Sequence, residues 1–326
     1  MMEVLVHNIE TRKRKNGKPD DTFLEKSSKR LKEIPQTSQI KTLLLQSFFL
    51  HACKENKLNN VRYCLSVKDL DINSDSALWT PLMFACMRGH EAVVKELCRH
   101  ENIKINQRDA AGLTALHHAT KNNCSIVKIL AASRNIDLNA KDKDGLTAVH
   151  HAIVNQSLET IKVLRQFPGV EWNISPREGG GSPVVMALTL GRVEILGVLL
   201  TVPDINLSVP AGGQEKPNHR TIGQLAVESL ASTAHQCVEV LAKHSKVDWN
   251  VRDHLGDTPI MHAFKQQKME IVKVLLRTPG VDLSEIRRQD FTMFQSFLFD
   301  AIQVHSNKLS DLRRKVPECP VSLKRN

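Results

Sequence analysis

Aromatic residues are scarce. Phenylalanine, tryptophan and tyrosine make up 4% of the 326 residues, with a single tyrosine. Single-stranded nucleic acid is held on serial stacking rings, and this chain offers few. Also missing is any run of 18 or more apolar residues, which excludes a transmembrane helix. The opening MMEVLVHNIETRKRK has no charged stretch followed by an apolar one, so a secretory leader is not expected. Gly179-Gly180-Gly181 is not followed by Gly-Lys-Ser/Thr and is no phosphate loop. No Cys/His/Asp constellation supports nucleophilic catalysis, so neither an enzyme activity nor a cofactor is expected. Cysteine is present but unordered. Cys53, Cys64, Cys86, Cys98, Cys124, Cys237 and Cys319 are odd in number and irregular in spacing. They read as the reduced, packed thiols of an intracellular protein.

The net charge of +10 raises nucleic acid as a partner, but its distribution argues against one. Residues 1–40 hold 9 Lys/Arg against 6 Asp/Glu, and residues 284–326 hold 8 against 5. The rest of the excess is spread thinly over the middle, whereas a DNA-binding element concentrates it.

What the chain has in abundance is repetition. Thr80-Pro81-Leu82-Met83-Phe84-Ala85 aligns with Thr114-Ala115-Leu116-His117-His118-Ala119, and with Thr147-Ala148-Val149-His150-His151-Ala152. Ser182-Pro183-Val184-Val185-Met186-Ala187 and Thr258-Pro259-Ile260-Met261-His262-Ala263 continue the series. Weaker copies begin at Ser47 and Thr221. A second landmark closes each unit at Asn73, Asn106, Asn139, Asn173, Asn206, Asn250 and Ser284, in steps of 33, 33, 34, 33, 44 and 34.

Each position has a physical reason. Thr or Ser caps a helix by accepting an orphan backbone N–H. Pro suits the next position, where its missing donor costs nothing. Leu and Ala face the stack. Gly89, Asn123, Gly191 and Asn56 suit a left-handed turn after this helix. Gln156 and Gln267 depart from that, which predicts looser turns there. A second helix follows, with apolar residues at helical spacing such as Val93-Val94 and Leu97, or Ile271-Val272 and Leu275. Asp109-Ala110-Ala111-Gly112, Asp142-Lys143-Asp144-Gly145 and Asp253-His254-Leu255-Gly256 suit tight projecting turns. In the sixth unit the excess divides between a Gly/Pro-rich loop, Ser208 to His219, and the helical part.

The period and the Thr-Pro-Leu-His-like motif resemble the ankyrin repeat. The resemblance implies an all-α solenoid of helix-turn-helix units with short β-hairpin fingers. The expected organisation is a disordered basic tail over 1–42 and seven repeats over 43–284 (43–73, 74–106, 107–139, 140–173, 174–206, 207–250 and 251–284). Capping helices over 285–315 and a tail over 316–326 complete it. His117 and His150 stand where the family commonly has a histidine that bonds the adjacent turn. The paired histidines invite a metal reading. However, equivalent positions on neighbouring repeats lie about 10 Å apart, against roughly 2 Å for zinc–ligand bonds, so no metal site is expected. Trp172 and Trp249, before the closing Asn, read as core.

The resemblance also implies that the protein binds another protein through finger tips and the exposed side of each first helix. The positions so selected are Trp79, Met87, Arg108, Leu113, Lys121, Lys141, Lys143, Leu146, Arg177, Thr189, Arg252, His254 and Lys265. Several are basic, which points to an acidic partner surface. The function implied is a non-catalytic adaptor, scaffold or inhibitor acting in cytoplasm or nucleus, with neither nucleic acid nor membrane as partner. Arg12, Lys13, Arg14 and Lys15, with Lys29, Arg30 and Lys32, resemble a bipartite nuclear import signal read by an importin. Near the other end, Pro317-Glu318-Cys319-Pro320-Val321-Ser322 resembles the start of a RING finger in which Ser322 replaces the second zinc ligand. Two alternatives follow: the substrate-recognition part of a ubiquitin-ligase-like ankyrin/RING protein that has lost its RING, and an inhibitor of a nuclear factor.

Overall fold

The computed structural model describes residues 39–68, 70–74, 78–121, 123–176, 181–207, 221–253 and 256–283. They fall into two compact units, one within 1–140 and one within 141–326. The basic tail clusters, Arg177, His254, the 208–220 loop, the expected capping helices and the RING-like tail lie outside the described residues.

In the first unit the helices run α1 (Gln39–Lys54), α2 (Leu58–Leu65), α3 (Pro81–Arg88), α4 (Glu91–Cys98), α5 (Ala115–Ala119) and α6 (Cys124–Ala131). In the second they are α7 (Ala148–Val154), α8 (Leu158–Leu164), α9 (Pro183–Thr189) and α10 (Val193–Leu200). They continue with α11 (Ile222–Glu228), α12 (Ala234–Ala242), α13 (Pro259–Lys265) and α14 (Met269–Arg277). Within each unit they form antiparallel pairs stacked on the next pair. Phe49, Leu82, Leu97, Leu116, Ile126 and Leu130 are fully buried in the first, and Ile153, Ile161, Leu164, Leu188 and Leu196 in the second.

Helix starts follow the sequence closely. Pro81, Pro183 and Pro259 each occupy the first helical position. Thr80 Oγ1 accepts from Met83 N at 3.2 Å, and Thr221 Oγ1 from Gln224 N at 3.3 Å. Other starts differ from expectation. Ser182 makes no side-chain cap bond. Ser47 lies inside α1, which already begins at Gln39, within the stretch assigned to the tail. No Gly or Pro interrupts Thr42 to Leu45, and Leu45 is buried, so the helix extends toward the N-terminus.

The turns between paired helices also depart from the sequence reading. Gln156 and Gln267 do not loosen them. They adopt φ of 57° and 55°, beside 80° at Gly89, 66° at Gly191 and 57° at Asn56. At Gln267 the closing bonds are Gln267 N to Phe264 O and Lys268 N to Ala263 O, both 2.9 Å, and these hold a glutamine in a glycine-like conformation. Asn123 has φ of −145° and instead caps α6, its Oδ1 accepting from Ile126 N. Replacing the exposed Gln267 by Gly relieves the left-handed side chain. The expected result is a gain of about 0.5–1 kcal/mol in urea denaturation.

The recurrent closing Asn is a clip within each unit. Asn73 Nδ2 donates to Asn102 O (2.8 Å) while its Oδ1 accepts from Lys104 N (2.7 Å). Asn106 does the same with Asn135 O and Asp137 N, Asn173 with Asp204 O and Asn206 N, and Asn250 with Gly280 O and Asp282 N. One amide side chain thus satisfies a donor and an acceptor of the next repeat, which explains why the landmark is Asn.

Candidate protein-binding surface

Each described finger is built on an aspartate. Asp109 Oδ1 accepts from Ala111 N (2.8 Å) and Leu113 N (2.9 Å), and Oδ2 accepts from His118 Nε2 (2.9 Å). Asp142 repeats the pattern with Asp144 N (2.9 Å), Leu146 N (2.8 Å) and His151 Nε2 (2.7 Å). Asp253 takes Asp257 N (2.8 Å) and His262 Nε2 (2.6 Å). Gly112, Gly145 and Gly256 turn the chain at φ of 81°, 82° and 80°. These bonds use the amides that a strand ladder needs. No strand forms among the described residues, and the fingers are single turns closed by pairs such as Asp109 N to Leu113 O at 2.9 Å.

The Asp–His lock escaped the sequence reading, although its signal is there: an Asp and a His nine residues apart at 109/118, 142/151 and 253/262. The lock also shows in the chemistry of Asp142. Burial pushes its carboxyl up, but the bond from His151 and those from the Leu146 and Asp144 amides outweigh this and hold it below the ordinary value.

The other histidine of each pair has a different task. His117 Nδ1 lies 3.0 Å from Thr114 N and 2.9 Å from Thr114 Oγ1. His150 Nδ1 takes the same place against Thr147, at 3.2 and 2.9 Å. Each ring accepts at the start of its own helix. Burial, helped by His151, pushes the pKa of His150 down to about 4, while the Ile174 backbone and Asp142 pull the other way. Ile174 belongs to the next repeat, but the buried His150 Nε2 makes no hydrogen bond, so the expected bond to the adjacent turn does not form at this ring.

The expected binding residues are placed as follows. Met87, Arg108 and Lys121 in the first unit, and Lys141, Lys143, Thr189, Arg252 and Lys265 in the second, are exposed. Trp79, Leu113 and Leu146 are half-buried. Trp79 packs 4.4 Å from the His118 ring and 5.1 Å from Phe84. Lys265 pairs with Asp257, and Arg252 Nη1 donates to Gly256 O, both within their own finger region. Asp253, Asp257 and His262 bring three potential ligand atoms within 4.8 Å. Their charges are met by protein groups, since His262 holds Asp253 and Lys265 holds Asp257.

The two closing tryptophans part company. Trp249 is buried and lies against Gly223, where a Cβ would come within 3.2 Å of its ring. Trp172 is only half-buried and lines a groove of about 760 Å³ with Phe167, Pro168 and Pro203. The described cysteines are free thiols. Burial pushes Cys64 up to about 12 and Cys237 to about 11, so neither is poised as a nucleophile.

Residues 49–142 match the family model for ankyrin repeats, in three copies. The fold is the ankyrin-repeat fold. Among solved structures, the chain is similar to the ankyrin repeat domain of Bcl-3, described as a unique member of the IkappaB protein family. The TM-score is 0.60 and the identity 21%, over 70% of this chain and 97% of that one. It is also similar to EF0377, an ankyrin repeat protein, at a TM-score of 0.52 and 21% identity over 60% and 96%. No curated protein matches the chain. Ankyrin repeats indicate a protein–protein interaction module.

Proposed function

We propose that the protein is a non-catalytic adaptor, scaffold or inhibitor that holds an acidic protein partner on its finger tips. One observation carries this reading. The Asp–His locks satisfy the polar groups of each finger internally, so what the fingers present outward is side chains, and these are largely basic. Arg108 beside Asp109, and Lys141 and Lys143 flanking Asp142, are all exposed. Fingers whose backbone is already locked lose less entropy on association than loose ones. The likeness to Bcl-3 is one of fold at 21% identity and does not carry that protein's partners across.

The test is affinity purification from cells with wild type and with Arg108→Ala/Lys141→Glu/Lys143→Glu. The expected result is a partner with an acidic surface, lost from the variant and progressively released by salt. Loss of roughly tenfold or more in affinity fits removal of several steering and contact charges. A partner indifferent to both salt and the triple substitution overturns the reading.

A further inference from the structure

The finger that carries Trp79 breaks the rule of the others. By sequence, Asp75-Ser76-Ala77-Leu78-Trp79 aligns with Asp109-Ala110-Ala111-Gly112-Leu113 and with Asp142-Lys143-Asp144-Gly145-Leu146. Leu78 therefore stands where the others have glycine. It keeps the glycine conformation, with φ of 67°. A leucine is disfavoured there by the clash of its Cβ with the backbone. Nothing is gained in burial, because Leu78 is 49% exposed. Gln156 and Gln267 are left-handed and exposed too, but they are polar; Leu78 is the one apolar residue among the described non-glycine left-handed positions, so its exposed side chain offers a partner an apolar contact.

Its surroundings form an apolar patch with a charged rim, all within the first unit. Trp79 follows it in the chain and packs on Phe84. Met87, one helical turn beyond Phe84 on α3, is 43% exposed. Lys54 Nζ lies 4.1 Å from the centre of the Phe84 ring. Lys121, in the turn two residues past the end of α5, holds the repeat position that Met87 holds near the end of α3 and is exposed.

We infer that this patch binds a short acidic segment of another protein, one bulky apolar side chain seating on Leu78, Trp79 and Met87 while flanking carboxylates meet Lys54 and Lys121. The inference deepens the binding-module reading and rests on it. Charge decides the occupant. Lys54 and Lys121 call for an occupant that brings carboxylates; the chain's own acidic stretch Asp20-Asp21-Thr22-Phe23-Leu24-Glu25 is tested as a competing peptide, and its preferential binding over the enriched peptides overturns a partner from another protein. An apolar anchor in a cationic rim selects by both terms, since each alone also admits unrelated partners.

The test is panning a random peptide library on the full chain at physiological salt, followed by affinity measurement of the enriched peptides on wild type, Leu78→Gly, Met87→Ser and, as a control, Lys243→Ala. Enriched peptides are expected to carry one Leu, Ile, Met or aromatic residue flanked by Asp or Glu. Leu78→Gly and Met87→Ser weaken them by roughly tenfold, and Lys243→Ala leaves them unchanged. Because glycine is what the other fingers use, Leu78→Gly melts no lower than wild type. No enrichment, enrichment of basic or wholly polar peptides, or binding indifferent to Leu78→Gly overturns the inference. So does a melting temperature that falls along with binding, which makes Leu78 a structural residue. Peptides that depend on Lys141 and Lys143 but not on Leu78 overturn it while leaving the binding-module reading intact.

Discussion

Gly191→Ala is expected to cost about 3 kcal/mol, read as a lowered urea midpoint of the transition that includes α9–α12. Gly191 closes the turn between α9 and α10 at φ of 66°. A Cβ there lies 2.3 Å from Thr233 Oγ1 and 2.7 Å from Ala231 Cβ, closer than atoms approach without something moving. Thr233 is not free to swing aside, because its Oγ1 donates to Gly191 O at 2.8 Å. The substitution therefore combines a left-handed alanine, about 1 kcal/mol, with a clash of about 1–3 kcal/mol. Gly280→Ala is the control. Its φ is 82°, but no described atom lies within 4 Å of the added Cβ, so only the backbone component of about 1 kcal/mol is expected. Equal losses for the two variants would show that the α11–α12 turn yields, and that the contact with Gly191 is slack.

The same contact explains the long sixth unit. The turn between α11 and α12 runs from Ser229 to Thr233, against Gly89–His90 between α3 and α4. This is where the helical share of the excess residues sits. They are tied down on both sides, by Thr233 to Gly191 O and by Lys268 Nζ to Val227 O (2.6 Å) and Ser229 O (3.0 Å).

Acid is expected to weaken the second unit through His150. The ring's pKa is lowered from 6.5 to about 4 in the folded chain. Between those values the unfolded chain binds a proton that the folded chain refuses, so stability falls as pH drops from about 6.5 toward 4 and then levels off. The full shift corresponds to on the order of 3 kcal/mol. The cause is geometric. Nδ1 faces Thr147 N, a donor, and a proton there turns an acceptor into a second donor in a buried site.

The chain contains its own non-titrating template for this position. Gln224 Oε1 accepts from Thr221 N at 2.8 Å, while its Nε2 donates to Val251 O and Asp257 O in the following repeat. His150→Gln is therefore expected to fold and to remove that share of the pH dependence. Urea midpoints of wild type and variant at pH 7.5 and pH 4.5 give the answer. A variant that loses as much stability on acidification as wild type would clear His150 of the effect. Asp142 responds separately. Its lowered carboxyl contributes stability above its ordinary range, near 3.8, and loses it only as pH falls further.

The sequence by itself determined the repeat, because everything that makes it is local. A Thr or Ser before Pro starts a helix, apolar residues at helical spacing choose the buried face, and the closing Asn recurs at the distance one repeat spans. The Asp–His lock belongs in the same class, since nine residues of chain bring its partners together. That lock is legible along the chain; what is not legible depends on residues far apart in the chain, on how much room a neighbour leaves, or on backbone bonds that a residue's propensity does not show. Trp172 and Trp249 occupy the same motif position, yet only Trp249 is covered, because Gly223 opens a slot for its ring. Gln156 and Gln267 look like poor turn residues, but bonds back to carbonyls of the preceding helix hold them left-handed. Propensity and spacing are properties of a segment and can be read along it. Burial, and the room left for a ring or a methyl, are set by atoms that the fold brings in from neighbouring repeats, and only the tertiary structure decided them.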